Sequence, residues 1–366
     1  MDVPHPLPPL ARSAHVAYVK HALANLPGSM VSLDASRMAI VFYCVGSLDV
    51  LGVLQTETSE TDRTSWRTWI WEQYVAGRYG TGFKPGPFMS SSSSNARPAV
   101  PCEQDPPHII MTYTALLSLA ILRDDFTRLN RPGLLHFLGA CQNKDGSFSS
   151  MPFGGGDSDL RNLYCAFCIC SLLGDFSSIN VERAISFIGS CRTYEGGYGQ
   201  LPSCEAQAGT TYLAIAALRL APPAPRPRLT TAERVRSEHW LIHSQDSLSG
   251  GFRGRTGKAP DACYCFWGGA ALQILGAQDK LNAHEFTQFI ASCQFRFGGI
   301  AKTPGQHPDP YHTYLSLAAA AMYAPRLDQN EQRYGQWEFA PFDPLVNARV
   351  DVVRWARERI PAPRRH

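Results

Sequence analysis

Apolar positions along this chain alternate between two kinds of run. Dense runs, in which small and apolar residues appear on every side of a 3.6-residue period, cover Asp159–Leu173, Glu205–Leu218, Asp261–Leu275 and Asp309–Ala321. Each opens on an acidic residue, and a helix that is apolar all round is one that is buried all round. Between them lie amphipathic runs, Pro132–Gln142, Asn180–Arg192 and Ala283–Gln294, with the one-sided pattern of helices that face solvent. Ser36–Leu51 and His108–Leu122 read as two further buried helices.

The amphipathic runs lead into related strings. Ala140-Cys-Gln142 precedes Asp145-Gly-Ser-Phe148, and Ser190-Cys-Arg192 precedes Glu195-Gly-Gly-Tyr198. Ser244-Gln245 precedes Gly250-Gly-Phe252, and Ser292-Cys-Gln294 precedes Gly298-Gly-Ile300. A period of about 50 residues marks a repeat architecture. Each unit predicts an outer amphipathic helix, a Gly-rich turn and an inner helix. Such pairs bury their faces only by stacking. The expected fold is all-α, a closed α/α toroid of repeated helical hairpins, with an open solenoid as the alternative. In the toroid, the residues that open the inner helices gather at one end of the barrel. The chain is expected to form a single domain over 1–366, with a low-complexity loop at about 86–106 that contains Met89–Asn95, a rigid proline-rich connector at Ala221–Pro227 and a basic tail ending Arg364-Arg-His366.

Composition narrows the class. The chain has 44% hydrophobic and 18% charged residues and a net charge of +3, too small and scattered for a nucleic-acid binder. Eleven cysteines sit mostly in apolar runs, as reduced core thiols do. The proline-rich start lacks the apolar stretch of a signal peptide, and no run is expected to reach the length of a membrane span. The expected location is cytoplasmic.

Chemistry gathers in two segments, Arg255-Thr-Gly-Lys258-Ala-Pro-Asp261-Ala-Cys263-Tyr264 and Asp309-Pro-Tyr-His312. Taken singly, these residues have plain roles: Asp caps helices and Cys fills cores. Together, Asp261, Cys263 and His312 offer O, S and N donors at equivalent junctions of consecutive repeats. Three such ligands suit Zn2+ and leave one coordination place open. A substrate thiol in that place would be a thiolate at neutral pH. Arg255, Lys258 and Tyr264, with Lys302 in the loop before His312, could stabilise a departing anion. The pattern points to a transferase acting on sulfur.

From about Asp34 to about Ala324 the chain resembles the β subunits of the CaaX protein prenyltransferases. Asp261-Ala-Cys263-Tyr264-Cys-Phe-Trp267 resembles their D-x-C-Y-x-F-W motif, Asp309-Pro-Tyr-His312 their D-x-x-H motif, and Asp159-Leu-Arg161-Asn-Leu-Tyr164-Cys-Ala their D-x-R-x-x-Y-C-A helix. The resemblance implies zinc ligation by Asp261, Cys263 and His312. It implies diphosphate contact by Arg255, Lys258, Tyr264 and Lys302, and a lipid and peptide funnel lined by Arg161, Tyr164 and Trp267. It also implies a helical-repeat α subunit as partner, and client proteins of the Rho-type small GTPase kind. Ala39, small where farnesyltransferases carry Trp, and Lys302, where they carry a Mg2+-binding Asp, point to the type I geranylgeranyl branch. That branch would use geranylgeranyl diphosphate, favour leucine at the last CaaX place and have no need of Mg2+. His108 and Ile110 would help receive the peptide's last side chain. Two departures stand out: Gln207, expected to donate to the diphosphate as well but without charge, replaces a family His that does so, and Asn162 replaces an aromatic pocket residue of the mammalian type I enzyme. A farnesyltransferase β subunit is the nearest alternative. A terpene cyclase-like toroid would need a D-x-D-D acid that Asp157-Ser-Asp159 does not complete, and a non-catalytic binding toroid would need no metal triad.

Overall fold

The computed structural model describes residues 7–26, 28–87, 106–225, 227–323 and 337–360. Among them thirteen α-helices follow in order: α1 Arg12–Ala24, α2 Arg37–Val50, α3 Glu60–Glu72, α4 Ile109–Ile121, α5 Arg131–Cys141, α6 Leu160–Leu173 and α7 Val181–Ser190. Then come α8 Ala208–Leu220, α9 Thr231–His243, α10 Ala262–Leu275, α11 Ala283–Ser292, α12 Pro310–Tyr323 and α13 Val350–Arg359. Three short antiparallel hairpins, Tyr74–Gly77 with Gly80–Phe83, Ser149–Met151 with Gly155–Ser158, and Phe342–Asp343 with Ala348–Arg349, punctuate the connections.

The even-numbered helices α2 to α12 form the inner ring, each packed on the next, and α12 returns to pack on α2. The closing seam is aromatic: Phe42 meets Tyr314 with ring centroids 4.9 Å apart, and Tyr43 meets Tyr311 at 5.4 Å. The closed toroid is therefore the fold, and the open solenoid is excluded. Helices α1, α3, α5, α7, α9 and α11 make the outer layer.

The repeated strings have a mechanical meaning. Gln142 clamps the start of α7: its Nε2 donates to the Asn180 carbonyl at 2.9 Å, and its Oε1 accepts from the Asn180 N–H at 2.7 Å. Gln245 clamps Asn282 at the start of α11 in the same way, with both bonds 3.1 Å. Where the string carries Arg192, its guanidinium instead pairs with Glu233 in the first turn of α9. Gln294 reaches the N-terminal helix, accepting from the Ala11 N–H at 2.8 Å and donating to the Pro9 carbonyl at 3.2 Å. Helix α1 is thus the successor of α11, and the outer ring closes through the start of the chain. Gly298, at φ +97°, lies so close to α1 that a Cβ would overlap the Ala14 carbonyl.

The end of the barrel away from the inner-helix N-termini is sealed by the C-terminal segment. Four tyrosines on four inner helices donate to four consecutive carbonyls: Tyr212 to Pro344 at 2.8 Å, Tyr164 to Leu345 at 3.0 Å, Tyr113 to Val346 at 2.8 Å and Tyr314 to Asn347 at 2.7 Å. The hydroxyls are buried, and each finds its partner on this one strand of backbone.

Three sequence expectations need adjustment. Helix α8 begins at Ala208 with Gln207 as its cap, so Glu205 does not open it and pairs with Arg255 instead. The 3-10 turn Gly28–Ser36 runs into α2, and the helical stretch Met30–Val50 is long and apolar enough to cross a membrane by length and composition; half of it is buried inside the protein. An inner helix of a barrel needs apolar residues on every side, which is why α2 reaches that composition. The resemblance stopped near Ala324, whereas residues 342–349 belong to the barrel. Met89–Asn95 and Arg364–His366 lie outside the described residues. Nine of the ten described cysteines are buried and all ten are free; Cys204 is exposed.

Candidate active site

The inner helices all start at one end of the barrel, and their cap residues line its mouth. His108 precedes α4, Asp159 α6, Gln207 α8 and Asp261 α10, all with extended backbone. Asp309 serves α12, its Oδ1 accepting from the His312 N–H at 2.9 Å. The loops are laced together across repeats. The first N–H of α10, from Ala262, donates to the Lys302 carbonyl at 2.8 Å, and that of α8, from Ala208, donates to the Gly254 carbonyl at 2.9 Å. This lacing carries Lys302 back to the start of the preceding inner helix, where its Nζ stands 3.7 Å from Asp261 Oδ2.

Asp261, Cys263 and His312 converge, with one ligand atom of each within 4.8 Å of the others. Asp261 caps α10 by accepting from the Cys263 N–H at 2.9 Å, which fixes both side chains on one turn. His312 Nδ1 is 2.6 Å from Asp309 Oδ2, and Nε2 faces Asp261 Oδ1 at 3.3 Å. Asp309 therefore holds the ring so that Nε2 points into the cluster, the arrangement that orients a metal-ligating histidine. Burial alone would lower the His312 pKa, but hydrogen bonds to Asp261 and Asp309 outweigh it and hold it at about 11. Burial pushes Asp261 up, yet hydrogen bonds with His312 and Cys263 leave it below the ordinary carboxylate value. The Cys263 thiol is pushed up to about 11, chiefly by burial. A buried carboxylate, a buried thiol and a half-buried imidazole whose second nitrogen is engaged fit a Zn2+ ion.

A second group of polar side chains flanks the cluster. Tyr264 lies against Gly254 so closely that a Cβ there would overlap its ring, and its hydroxyl accepts from Gln207 Nε2 at 3.1 Å. Arg255 pairs with Glu205 at 2.9 Å, and Lys258 has no ion-pair partner among the described residues. At the start of the neighbouring inner helix α6, Arg161 is held by Asp157 at 3.0 Å and Asp159 at 2.6 Å. The His108 pKa is lowered to about 4, by burial and then by Arg161, so its imidazole is neutral. Among the described residues, His108 Nδ1 and Asn162 Oδ1 are buried without a partner. Ile110 follows on α4 and Ala39 lies nearly buried on α2. Tyr164 reaches down the barrel, its hydroxyl spent on Leu345 and Tyr212, and Trp267 Nε1 donates to the Tyr311 hydroxyl at 3.1 Å.

The sequence reading missed three neighbours. Asp309 was legible as part of a motif but not as the partner of Nδ1; its i, i+3 spacing from His312 at a helix start was the signal. Tyr311, packed edge-on against His312 at 5.0 Å, and Glu205, the partner of Arg255, carried no signal.

A closed α/α barrel with an O/S/N cluster at its mouth defines a class. The chain belongs to the prenyltransferase alpha-alpha toroid domain family, whose description matches residues 10–348. It is 36% identical over 317 residues to the geranylgeranyl transferase type-1 subunit beta of Dictyostelium discoideum, covering 82% of this chain and 87% of that one. It is 30% identical over 323 residues to the subunit of the same name from Arabidopsis thaliana, covering 85% and 84%. The solved structure of Candida albicans protein geranylgeranyltransferase-I complexed with GGPP superposes with a TM-score of 0.81 at 23% identity, over 97% of this chain and 100% of that one, a likeness of fold.

Proposed function

We propose that this chain, folded as one toroid domain, is the catalytic β subunit of a type I protein geranylgeranyltransferase. It works with an α subunit and joins a geranylgeranyl group to the cysteine of a C-terminal CaaX sequence, on clients such as Rho-type small GTPases. The carrying observation is the convergence of Asp261, Cys263 and His312 within 4.8 Å, with Lys302 beside Asp261. The two type-1 β subunits among its relatives support the reading.

Asp261, Cys263 and His312 would hold Zn2+, with Asp309 fixing the imidazole. When bound, the ion lowers the pKa of a substrate thiol so that the sulfur is a thiolate at neutral pH. No protein base is then needed. The S–C1 bond forms as the C1–O bond breaks, and the electron pair leaves on a diphosphate oxygen. Lys302, Arg255, Lys258 and Tyr264, with Gln207 behind it, face that growing charge, which preorganised donors stabilise. The Lys302 ammonium stands in for a divalent counter-ion. Ala39 leaves room for a fourth isoprene unit, and His108, Ile110, Arg161, Tyr164 and Trp267 form the funnel for lipid and peptide.

The test is side-by-side transfer from geranylgeranyl and farnesyl diphosphate to CaaX peptides, without added Mg2+, alongside zinc content by elemental analysis. The expected result is one zinc per β subunit, preference for geranylgeranyl, and loss of both zinc and transfer in His312→Ala. Ala39→Trp should shift preference towards farnesyl. Full transfer by zinc-free protein, or farnesyl preference in the wild type, would overturn the reading.

A further inference from the structure

Gln207 caps α8 at the mouth, yet its side chain makes no capping bond to its own helix. It points instead to the neighbouring repeat, where Nε2 donates to the Tyr264 hydroxyl at 3.1 Å. The direction of this bond has a consequence. A phenol has one proton and is both donor and acceptor. With a lone pair engaged by the Gln207 N–H, the Tyr264 proton has to point elsewhere. The ring packs directly on Gly254, where a side chain would displace it. The Gly254 carbonyl is in turn pinned by the first N–H of α8, one residue past Gln207. Arg255, next to Gly254, is the adjacent cation. The hydroxyl is thus fixed in position by Gly254 and in polarity by Gln207.

We propose that Gln207 is a positioning residue that sets the polarity of the Tyr264 hydroxyl, aiming its proton at the leaving diphosphate without touching that group itself. This deepens the reading under Proposed function and rests on it. No proton is transferred: Tyr264 donates a hydrogen bond to the oxygen that keeps the electron pair of the breaking C1–O bond. A donor aligned before the charge develops is worth more than one that must rotate into place. Gln207 brings this about with no charge of its own.

Gln207→Glu changes little in shape but reverses the bond, because a carboxylate only accepts and draws the Tyr264 proton to itself. The experiment uses the zinc-loaded heterodimer and six forms of the chain: wild type, Gln207→Glu, Gln207→Ala, Gln207→His, Tyr264→Phe, and Gln207→Glu combined with Tyr264→Phe. It follows kcat and KM for geranylgeranyl diphosphate, with equilibrium binding of inorganic diphosphate as a second readout. Gln207→Glu should lower kcat by about 100- to 1000-fold, close to the loss in Tyr264→Phe. Gln207→Ala, which frees the rotor, should lose less. Gln207→His, which restores an N–H, should recover most of the rate. In the Tyr264→Phe background, Gln207→Glu should cost little more, because the two side chains act as one unit. Diphosphate binding should weaken in the same non-additive pattern.

Equal losses from Gln207→Glu with and without the Tyr264 hydroxyl would overturn the inference, since direct repulsion by the new charge would then account for them. A harmless Gln207→Glu would also overturn it, by showing that the amide oxygen faces the phenol. Either result leaves the transferase reading standing. Absence of transfer by the wild type would sink both.

Discussion

Asp309 orients the His312 ring through the 2.6 Å hydrogen bond that its Oδ2 accepts from Nδ1, while its Oδ1 accepts from the His312 N–H at the start of α12. With that nitrogen engaged, Nε2 is left to face Asp261 and Cys263. Removing such an outer partner typically weakens metal binding about 10- to 100-fold. Asp309→Ala should therefore lower zinc affinity by that order in a chelator competition, with the helical content unchanged. Unaltered affinity would mean that packing against Tyr311 alone orients the ring. At this scale, much of the cluster was readable in advance. Asp261 and Cys263 are separated by one residue at a helix start, and His312 stands at the equivalent junction one repeat later. The contacts that complete it were not readable, because Glu205–Arg255 and Gln207–Tyr264 join residues about 50 positions apart through loop paths that no local pattern specifies.

Among the elements, the Gln and Gly strings work as couplings between successive outer helices. Gly298 has two reasons to be glycine, its positive φ and its contact with the Ala14 carbonyl, whereas Gly174 has only a positive φ and open space around its Cβ position. Gly174→Ala should cost about 1 kcal/mol from backbone strain, and Gly298→Ala roughly 2–4 kcal/mol because α1 must also shift. Urea midpoints of the two variants measure the difference, and equal losses would show that α1 is not held by this coupling. The strings were legible as a repeat, but their partners were not, since each grips a helix that follows it in space. The inner helices were legible because apolar residues surround them. Helix α9 was implied by the repeat but given no bounds, because it buries only Ser237, Glu238, Trp240 and Leu241, too thin a stripe to stand out. The hairpins, of two to four residues a strand, are too short to show a period.

Over the whole molecule, the C-terminal segment ties the barrel together from below. Asp49 of α2 is buried there, 3.2 Å from Arg349, with Asp351 and Arg123 nearby. Burial outweighs the arginines and raises its pKa from 3.8 to about 6. Folded protein then holds this proton more tightly than unfolded protein does. Stability from this group is full below about pH 4, falls as pH rises, and is lost above about pH 6, a change of roughly 3 kcal/mol. Asp49→Asn should flatten that part of the slope in urea unfolding at pH 4.5 and 6.5; an unchanged slope would place the titration elsewhere. The same segment sets a timetable for synthesis. Tyr113 waits 233 residues for Val346, and Ala11 waits 283 for Gln294. At ribosomal speeds of about 5–20 residues per second, the first of these delays lasts roughly 10–50 s. Until α12 is made the inner ring cannot close on α2, and until residues 344–347 are made the four tyrosines lack their carbonyl partners. The barrel is therefore finished only after its last strand is made, and until then the emerging chain leaves exposed the apolar surface that the closed barrel buries.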